Sequence, residues 1–314
     1  MCGIAGRILN STGTVGRDLV ELMEAQRHRG ADSTGFAVYG PPVEQGFIVR
    51  AMGFDRGGLS GDLDEFLAIL RAHGSDFLAD PVADDARSDH VSVRMVITEP
   101  TSLPDWSREA DTMSERIEIQ SVGKSLEIIK DLGGAAEVAD KHGLRDFVGT
   151  HGLGHARLAT ESEISPTASH PFWARPFPDV AIVHNGQITD YYTWRDRLER
   201  KGYQFMSYND SELIAVWISD RMSQGMSQGE ALKRSINEID GVFTYLISDT
   251  TSMGFAKDRF AIKPLVAAEL AGEMAVATEE QAVRVLYPNE IDVINYDGPS
   301  LNKTWDIVDI RKAA

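Results

Sequence analysis

The sequence predicts an α+β protein in which two stacked β-sheets are covered by helices. Segments with the short, apolar or alternating pattern of strands recur after Thr150, at 151–156, 180–184, 243–248, 253–257, 265–269, 274–278 and 291–296. Segments with helical spacing are gathered in one stretch instead, at 190–201, 210–223 and 228–239. Many strands with grouped helices are typical of layered sheets whose outer faces are closed by helices.

The first 56 residues are predicted to form a strand, a helix and a hairpin. Residues 3–9 form a short apolar segment, which predicts a strand. The apolar residues around Leu19 and Met23 recur at helical spacing, which predicts the helix. The segment 28–35 has the glycines, Asp and Ser of a turn. Residues 36–39 and 47–51 then predict a hairpin.

Residues 57–148 have a different texture, and we interpret them as an insertion of mixed α and β character within one domain spanning 1–314. Apolar spacing predicts a helix at 63–70, and alternation predicts strands at 91–95 and 117–119. The polar stretch 100–113 is expected to be irregular. Helices are expected at 125–131 and 135–142.

Composition and charge exclude several classes of protein. The 314 residues are 42% hydrophobic and 25% charged, which is ordinary for a folded chain of one large or about two average domains. The net charge of −17, from 31 basic and 48 acidic side chains, disfavours nucleic acid and anionic membranes as partners. There is no apolar run long enough to span a bilayer and no secretory signal pattern, so we expect a cytoplasmic protein.

The single cysteine, Cys2, is the first candidate for chemistry. One thiol excludes an internal disulfide, a cysteine-rich zinc site and an iron–sulfur cluster held by this chain alone. Removal of Met1 would give Cys2 a free α-amino group, whose reference pKa of about 7.7–8.0 suits a base near neutrality. Such a residue carries its own base and can attack a carbonyl as a thiolate. The alternative is that Cys2 is a small buried hydrophobic residue.

Four further residues, at three places in the chain, could serve a substrate, and each place has a plainer alternative. Arg157 ends a predicted strand and could hold a carboxylate, or be a structural arginine. Asn185 and Gly186 could supply N–H groups to an oxyanion, or form an Asn-Gly turn. Asp210 could accept hydrogen bonds from an ammonium group, or cap the following helix.

Metal and nucleotide sites have little support in the sequence. His151 and His155 are four residues apart, but Gly152 and Gly154 argue against the helix on which that spacing would bring them together. The glycine-rich signatures of nucleotide and dinucleotide binding are missing. We therefore predict no metal and no cofactor in this chain.

Taken together, these segments resemble the class II, or N-terminal nucleophile, glutamine amidotransferase family. The resemblance rests on motifs that occur in the family's order. They are Met-Cys-Gly-Ile-Ala-Gly at the start, His28 to Gly35, His155 to Thr160, Val183 to Gly186, Tyr208 to Glu212 and Lys257 to Leu265. The resemblance covers residues 1–56 and 149–285 and implies a four-layer α/β/β/α sandwich.

The resemblance also implies a role for each candidate residue. Cys2 would be the nucleophile, with its α-amino group as the base, and would form a γ-glutamyl thioester with L-glutamine. Asn185 and Gly186 would form the oxyanion hole. Arg157 would hold the glutamine α-carboxylate and Asp210 its α-amino group, with Thr160 as a further substrate contact.

Two residues depart from the family pattern. Many members have Trp where this chain has Leu158 and His where it has Glu161, so glutamine affinity is expected to differ.

Because no ammonia-accepting domain is recognisable, we expect a subunit of a hetero-oligomer that delivers ammonia to a synthase partner. The resemblance to stand-alone amidotransferase subunits related to those of glutamate synthase and N-methylglutamate synthase would place FMN and an iron–sulfur cluster on partner subunits. The alternatives are a hydrolase of the same fold acting on another amide and a non-catalytic assembly subunit.

Overall fold

In a computed structural model of the chain, residues 2–84, 90–113, 117–158, 166, 168–270, 272–289 and 291–308 are described. Within these ranges the chain forms sixteen strands and eight α-helices. The strands are β1 Gly3–Gly13, β2 Ser33–Tyr39, β3 Phe47–Asp55, β4 Val82–Ala83, β5 His90–Ile97, β6 Glu118–Gly123, β7 Leu126–Leu132, β8 Gly149–Arg157, β9 Phe172–Trp173, β10 Ala181–Ile188, β11 Gly241–Ser248, β12 Ser252–Lys257, β13 Val266–Leu270, β14 Glu273–Ala277, β15 Ile294–Asn295 and β16 Asn302–Asp306. The helices are α1 Val15–Glu24, α2 Leu59–Ala72, α3 Leu103–Thr112, α4 Ala135–Lys141, α5 Tyr191–Glu199, α6 Asp210–Ser223, α7 Gln228–Glu238 and α8 Glu280–Leu286.

The described strands form three antiparallel sheets. The first sheet has the strand order β15-β13-β14-β1-β8-β2-β7, and the second has the order β16-β12-β11-β10-β9. The third sheet, β4-β5-β3-β6, is smaller. Every strand pair in the three sheets is antiparallel.

The first and second sheets pack face to face, and helices cover their outer faces. One core lies between the sheets, with Ile4 and Leu153 from the first meeting Val183 and Leu246 from the second. A second core fills the space between the first sheet and helices α1, α4 and α8. A third lies between the second sheet and helices α5, α6 and α7. The predicted stacked sheets, and the α/β/β/α sandwich that the resemblance implied, are confirmed.

The third sheet and helices α2 and α3 overlap the range 57–148 that we predicted as an insertion, but they do not coincide with it. These elements run from β3 to β6, and therefore begin at Phe47 and end at Gly123. Strand β7 and helix α4 lie inside the predicted range but belong to the first sheet and its helix layer. The division of the chain into domains stays a prediction.

Three secondary-structure predictions in the first half of the chain are wrong. Strands β2 and β3 do not form a hairpin, because β2 pairs with β7 and β8 whereas β3 pairs with β5 and β6. The segment predicted as a helix at 125–131 is strand β7. The segment predicted as irregular at 100–113 contains helix α3, with Ser102 accepting a hydrogen bond from the backbone N–H of Asp105.

The side chain of His142 links Asp84, which follows strand β4 of the third sheet, to Asp131 in strand β7 of the first sheet. The two ring nitrogens of His142 each face a carboxylate, Asp84 Oδ2 at 2.6 Å and Asp131 Oδ2 at 2.9 Å. Arg50 also pairs with Asp84, and Lys141 with Asp131. Two carboxylate acceptors require a proton on both ring nitrogens, so His142 is an imidazolium here. Burial opposes this charge, but the hydrogen bonds to Asp131 and Asp84 raise the pKa of His142 overall.

We expect His142→Gln to destabilise the protein more at pH 6 than at pH 9. The pKa of His142 is higher in the folded protein than in the unfolded chain, where it is about 6.5. The charged ring therefore stabilises the fold fully below pH 6.5, and this stabilisation is lost as the pH rises through the pKa of the folded state. At pH 6 the loss should be about 1–3 kcal/mol, since two largely buried carboxylates lose a donor. Urea unfolding at several pH values measures this loss. His73→Gln is the control, because its partner Glu109 is more than half exposed. A loss that is the same at both pH values would contradict the charged pairing.

Candidate active site

Cys2 lies at the end of the first sheet, one residue before strand β1. Gly3 pairs with Ala156 of β8, so the strand register brings Cys2 and Arg157 to neighbouring positions at one end of the sheet. The thiol is free and its residue is partly exposed. The beginning of β1 is fixed by Thr278, whose hydroxyl accepts a hydrogen bond from the backbone N–H of Ile4 at 2.8 Å. The candidate nucleophile therefore stands at an accessible end of a rigid strand.

Arg157 is the last residue of β8, and its side chain is held close to the protein. It is 5% exposed, and its Nη1 donates a hydrogen bond to the carbonyl oxygen of Ala168 at 3.0 Å. The segment predicted as a turn at 28–35 joins strand β2 at Ser33, and its Gly30 packs directly on the Arg157 backbone. A Cβ at Gly30 would lie 2.3 Å from the carbonyl carbon of Arg157, so only glycine fits. This segment thus buttresses the strand end that carries Arg157.

Asn185 and Gly186 lie inside strand β10, where they pair with Thr244 and Phe243 of β11. The alternative of an Asn-Gly turn is therefore wrong. Asn185 is 3% exposed, and its Nδ2 donates a hydrogen bond to the carbonyl oxygen of Cys2 at 3.0 Å. This bond crosses from the second sheet to the first and brings the candidate oxyanion segment to the candidate nucleophile.

Gly186 can be only glycine in this position. Its φ is +150°, and a Cβ there would lie 2.1 Å from the carbonyl oxygen of Val242. The residue itself is exposed, unlike its buried neighbour Asn185. Gly186 follows Asn185 directly, and a backbone N–H beside that side chain is chemically suited to an anionic oxygen.

Asp210 is the first residue of helix α6, and the cap of that helix is its neighbour Asn209. The Asn209 side chain accepts a hydrogen bond from the backbone N–H of Ser211 at 2.9 Å, which is the capping contact. Asp210 turns instead toward the end of β10. Its Oδ2 accepts a hydrogen bond from the backbone N–H of Ile188 at 3.0 Å, and its Oδ1 lies 3.4 Å from His184 Nδ1.

The electrostatic setting of Asp210 favours an ionised carboxylate. Burial alone would raise the pKa of Asp210, but the neighbouring His184 and the hydrogen bonds that the carboxylate receives lower it overall. The side chain remains 19% exposed. An anionic group with some access to solvent can receive an ammonium group.

The remaining predicted position near the site, Thr160, lies outside the described residues, as does Glu161. Leu158, which follows Arg157 directly, is described and is 43% exposed. The structure therefore brings Cys2, Asn185 and Gly186 together, with Arg157 at the neighbouring strand end and Asp210 beyond the end of β10.

The segment from Lys257 to Leu265, singled out only by its resemblance, is fastened beside the oxyanion candidates. Asp258 Oδ2 accepts a hydrogen bond from the backbone N–H of Phe243 at 2.7 Å. The hydroxyl of Thr244 donates to the carbonyl oxygen of Lys263 at 2.9 Å. Because Phe243 and Thr244 pair with Gly186 and Asn185, this loop braces the strand next to them.

Sequence reasoning missed a buried polar cluster behind these residues. It consists of His155, His170, His184 and Ser211, all at most 7% exposed. His155 and His184 fall inside motifs, and Ser211 directly follows Asp210, so proximity to the motifs was a signal for three of them. His170 carried no such signal, since it lies in irregular chain before β9.

Neither a metal centre nor a membrane-crossing helix is found in the described part of the chain. No group of three or more His, Cys, Asp or Glu side chains there could hold a metal ion. His151 and His155 lie on strand β8, and His151 Nε2 is 2.9 Å from the carbonyl oxygen of Asp249. Among the same residues, every helix is too short or too polar to cross a membrane.

Comparison with known proteins gives a consistent set of similarities. A family model described as "Glutamine amidotransferase domain" matches residues 155–285. The "Putative glutamine amidotransferase" of Methanothermobacter thermautotrophicus is 35% identical over 94% of this chain and 97% of its own length. The "Glutamine amidotransferase-like protein GlxB" of Rhizobium meliloti is 29% identical over 98% of each chain.

Similarity to longer proteins is confined to part of their chains. The amidophosphoribosyltransferase of Methanocaldococcus jannaschii is 28% identical over 53% of this chain but only 36% of its own length. The solved structure of glutamine phosphoribosylpyrophosphate amidotransferase from B. subtilis superposes with a TM-score of 0.56 at 17% identity. That superposition covers 98% of this chain and 49% of the other. At this identity the structural likeness shows the shared fold.

Proposed function

Since this chain belongs to the glutamine amidotransferase family and has the class II fold, we propose that it hydrolyses L-glutamine to glutamate and ammonia with Cys2 as the nucleophile. The observation that carries the proposal is the 3.0 Å hydrogen bond from Asn185 Nδ2 to the Cys2 carbonyl oxygen. It fastens the oxyanion candidates of the second sheet to the nucleophile candidate of the first. Arg157, at the neighbouring strand end, and the ionised Asp210 supply complementary charges for the α-carboxylate and α-ammonium groups of an amino acid.

In the proposed first half-reaction, the α-amino group of Cys2, freed by removal of Met1, takes the thiol proton. The thiolate sulfur attacks the side-chain amide carbon of glutamine, and the electron pair of the carbonyl moves to its oxygen. The Asn185 side-chain N–H and the Gly186 backbone N–H stabilise this oxyanion. The carbon–nitrogen bond then breaks, and the protonated amine returns its proton to the leaving nitrogen, which departs as ammonia.

The proposed second half-reaction regenerates the thiol. The α-amino group removes a proton from water, whose oxygen attacks the γ-glutamyl thioester, and the same N–H groups stabilise the second oxyanion. The carbon–sulfur bond breaks, glutamate leaves and the sulfur is reprotonated. Arg157 binds the substrate α-carboxylate through a planar pair of N–H donors, and Asp210 binds its α-ammonium group, with Thr160 as a further contact.

We also propose that the ammonia passes to a synthase partner in a hetero-oligomer, related to glutamate synthase or N-methylglutamate synthase. In water near pH 7 free ammonia is mostly protonated and is then a poor nucleophile, which favours transfer inside a complex. An iron–sulfur cluster in such a complex would need about four thiolates, and with FMN would belong to the partner.

The direct test is an assay of the purified full chain with L-glutamine, with and without extract of the source cells. We expect ammonia and glutamate in equal amounts, and no release from D-glutamine or L-asparagine. Lack of hydrolysis under both conditions would point to a non-catalytic assembly subunit. Preferential cleavage of a different amide would point to another N-terminal nucleophile hydrolase.

A further inference from the structure

The buried polar cluster of His155, His170, His184 and Ser211 lies between the elements that carry the proposed site. His155 is in β8, two residues before Arg157, and His184 is in β10, directly before Asn185. Ser211 follows Asp210 in helix α6. The proposed mechanism uses none of these four side chains. Groups this polar are retained in a core only with specific partners.

Ser211 is the centre of the cluster. Its Oγ lies 2.5 Å from His170 Nε2 and 3.0 Å from His184 Nδ1. His184 Nδ1 also lies 3.4 Å from Asp210 Oδ1. A hydroxyl has one proton to donate and two lone pairs that accept, so Ser211 can link the two rings. Through His184 the link reaches the carboxylate proposed to bind the substrate ammonium.

His155 reaches the other half of the site. Its Nε2 donates a hydrogen bond at 3.1 Å to the carbonyl oxygen of His184, which belongs to the peptide bond that joins His184 to Asn185. Its ring stacks on His170, with centroids 4.0 Å apart and an interplanar angle of 29°. The backbone that carries the oxyanion candidates is therefore attached to a ring that is itself fixed by stacking.

Both stacked rings are neutral, which the packing requires. Burial lowers the pKa of His155 to about 3, and it lowers the pKa of His170 well below the ordinary value, with further lowering from His155 and His184. Two imidazolium rings stacked at 4.0 Å would repel each other. Because His155 Nε2 faces a carbonyl oxygen, its proton is on Nε2. The hydrogen-bond pattern thus persists across neutral pH.

We infer that this cluster positions both halves of the proposed glutamine site, His155 through the backbone before Asn185 and Ser211 through His184 and Asp210. The inference rests on the proposed function and assigns these side chains as positioning residues, since they hold groups that would touch the substrate. We expect the contact of His155 with the His184 carbonyl oxygen and the contact of Ser211 with the His184 ring to affect different kinetic constants. Displacing the oxyanion segment lowers kcat, whereas displacing the ammonium-binding carboxylate raises KM.

The first test compares His155→Met with His155→Gln. Methionine removes the N–H that the His184 carbonyl accepts, whereas the Gln side-chain amide restores a donor at a similar reach. We expect His155→Met to lower kcat about 10–100-fold with KM for L-glutamine within about threefold of wild type. His155→Gln should retain kcat within about threefold. Equal losses in both variants, or a change in KM alone, would overturn the assignment of His155.

The second test compares Ser211→Ala with Ser219→Ala. Both serines are buried in helix α6, but the Ser219 hydroxyl has no hydrogen-bond partner within the described residues, so it is a matched control. We expect Ser211→Ala to raise KM about tenfold and Ser219→Ala to leave both constants unchanged. Identical kinetics for the two variants would overturn the role of Ser211.

Two further measurements separate this inference from the proposed function. Thermal melting of every variant shows whether it is folded. If His155→Met does not fold, the kinetic constants of His155→Gln and Ser211→Ala test the inference. Wild-type protein without glutaminase activity, alone or with extract, would refute the proposed function itself. Wild-type activity that depends on Cys2, together with His155→Met and Ser211→Ala variants that both behave like Ser219→Ala, would refute only the positioning network.

Discussion

Cys2→Ala is expected to lower kcat for glutamine hydrolysis by about 10⁴-fold or more, to the level of the uncatalysed background. Alanine has no sulfur to form the thioester, and the Asn185 and Gly186 donors can stabilise an oxyanion only after a nucleophile has attacked. The substitution removes one atom from a partly exposed residue, so the thermal melting temperature should stay close to that of wild type. Ammonia release under saturating L-glutamine measures the effect.

The single cysteine makes this experiment easy to control. Any thiol reagent bound by the wild-type chain must be on Cys2, because the chain has one Cys. The variant should therefore lose thiol labelling and glutaminase activity together. A folded Cys2→Ala protein that still releases ammonia at a substantial rate would remove Cys2 from the mechanism.

The second large effect is expected for Arg157→Lys, which should raise KM for L-glutamine about 10–100-fold while kcat changes little. An ammonium group cannot form the planar pair of hydrogen bonds that a guanidinium makes with a carboxylate. Losing one charge-assisted hydrogen bond costs about 1.5–3 kcal/mol, which corresponds to this range. Initial-rate kinetics over a wide range of glutamine concentration separates KM from kcat.

A matched control distinguishes substrate binding from loss of structure. Arg157 also donates to the Ala168 carbonyl oxygen, so the melting temperature of the variant must be measured. Arg145→Lys makes the same change at a more exposed arginine, paired with Asp140 and Glu21, and should leave KM unchanged. An unaltered KM in Arg157→Lys would mean that this guanidinium does not bind the substrate.

The second half of the chain was predicted closely because its local patterns agree with its packing. Helix α6 begins and ends at the predicted residues 210 and 223, where Asn209 supplies a cap. Strands β8 and β11 include the predicted segments 151–156 and 243–248, and β10 begins one residue after the predicted start at 180. The strand predicted at 291–296 is reduced to β15, and β16 was not predicted at all.

The failures in the first half have local physical causes. Strand β7 is covered on both faces, with Leu126 and Ile128 between the sheets and Ile129 against the helix layer, so its pattern does not alternate. Helix α3 looks polar, but Trp106 and Ala110 are four residues apart and both reach the core. Pro104 is in its first turn, where a proline is tolerated.

The site was predictable residue by residue but not as an arrangement. Motifs pointed to Cys2, Arg157, Asn185 and Asp210, yet their proximity depends on pairing between β1 and β8 and on the stacking of two sheets. Those contacts join residues that are far apart along the chain, which a local pattern cannot encode. The histidine cluster was missed for the same reason, because Ser211 and His170 are brought together only by the fold.

The central claim is that Cys2 of the mature chain, with its own free amine, attacks the glutamine side chain. Intact-mass and peptide analysis of fully active protein treated with 6-diazo-5-oxo-L-norleucine tests it most directly. We expect one adduct, on Cys2, in a chain that lacks Met1 and has an unmodified α-amino group, and we expect L-glutamine to prevent it. Fully active protein that retains Met1, carries a blocked amine, or is labelled at another residue would contradict the mechanism.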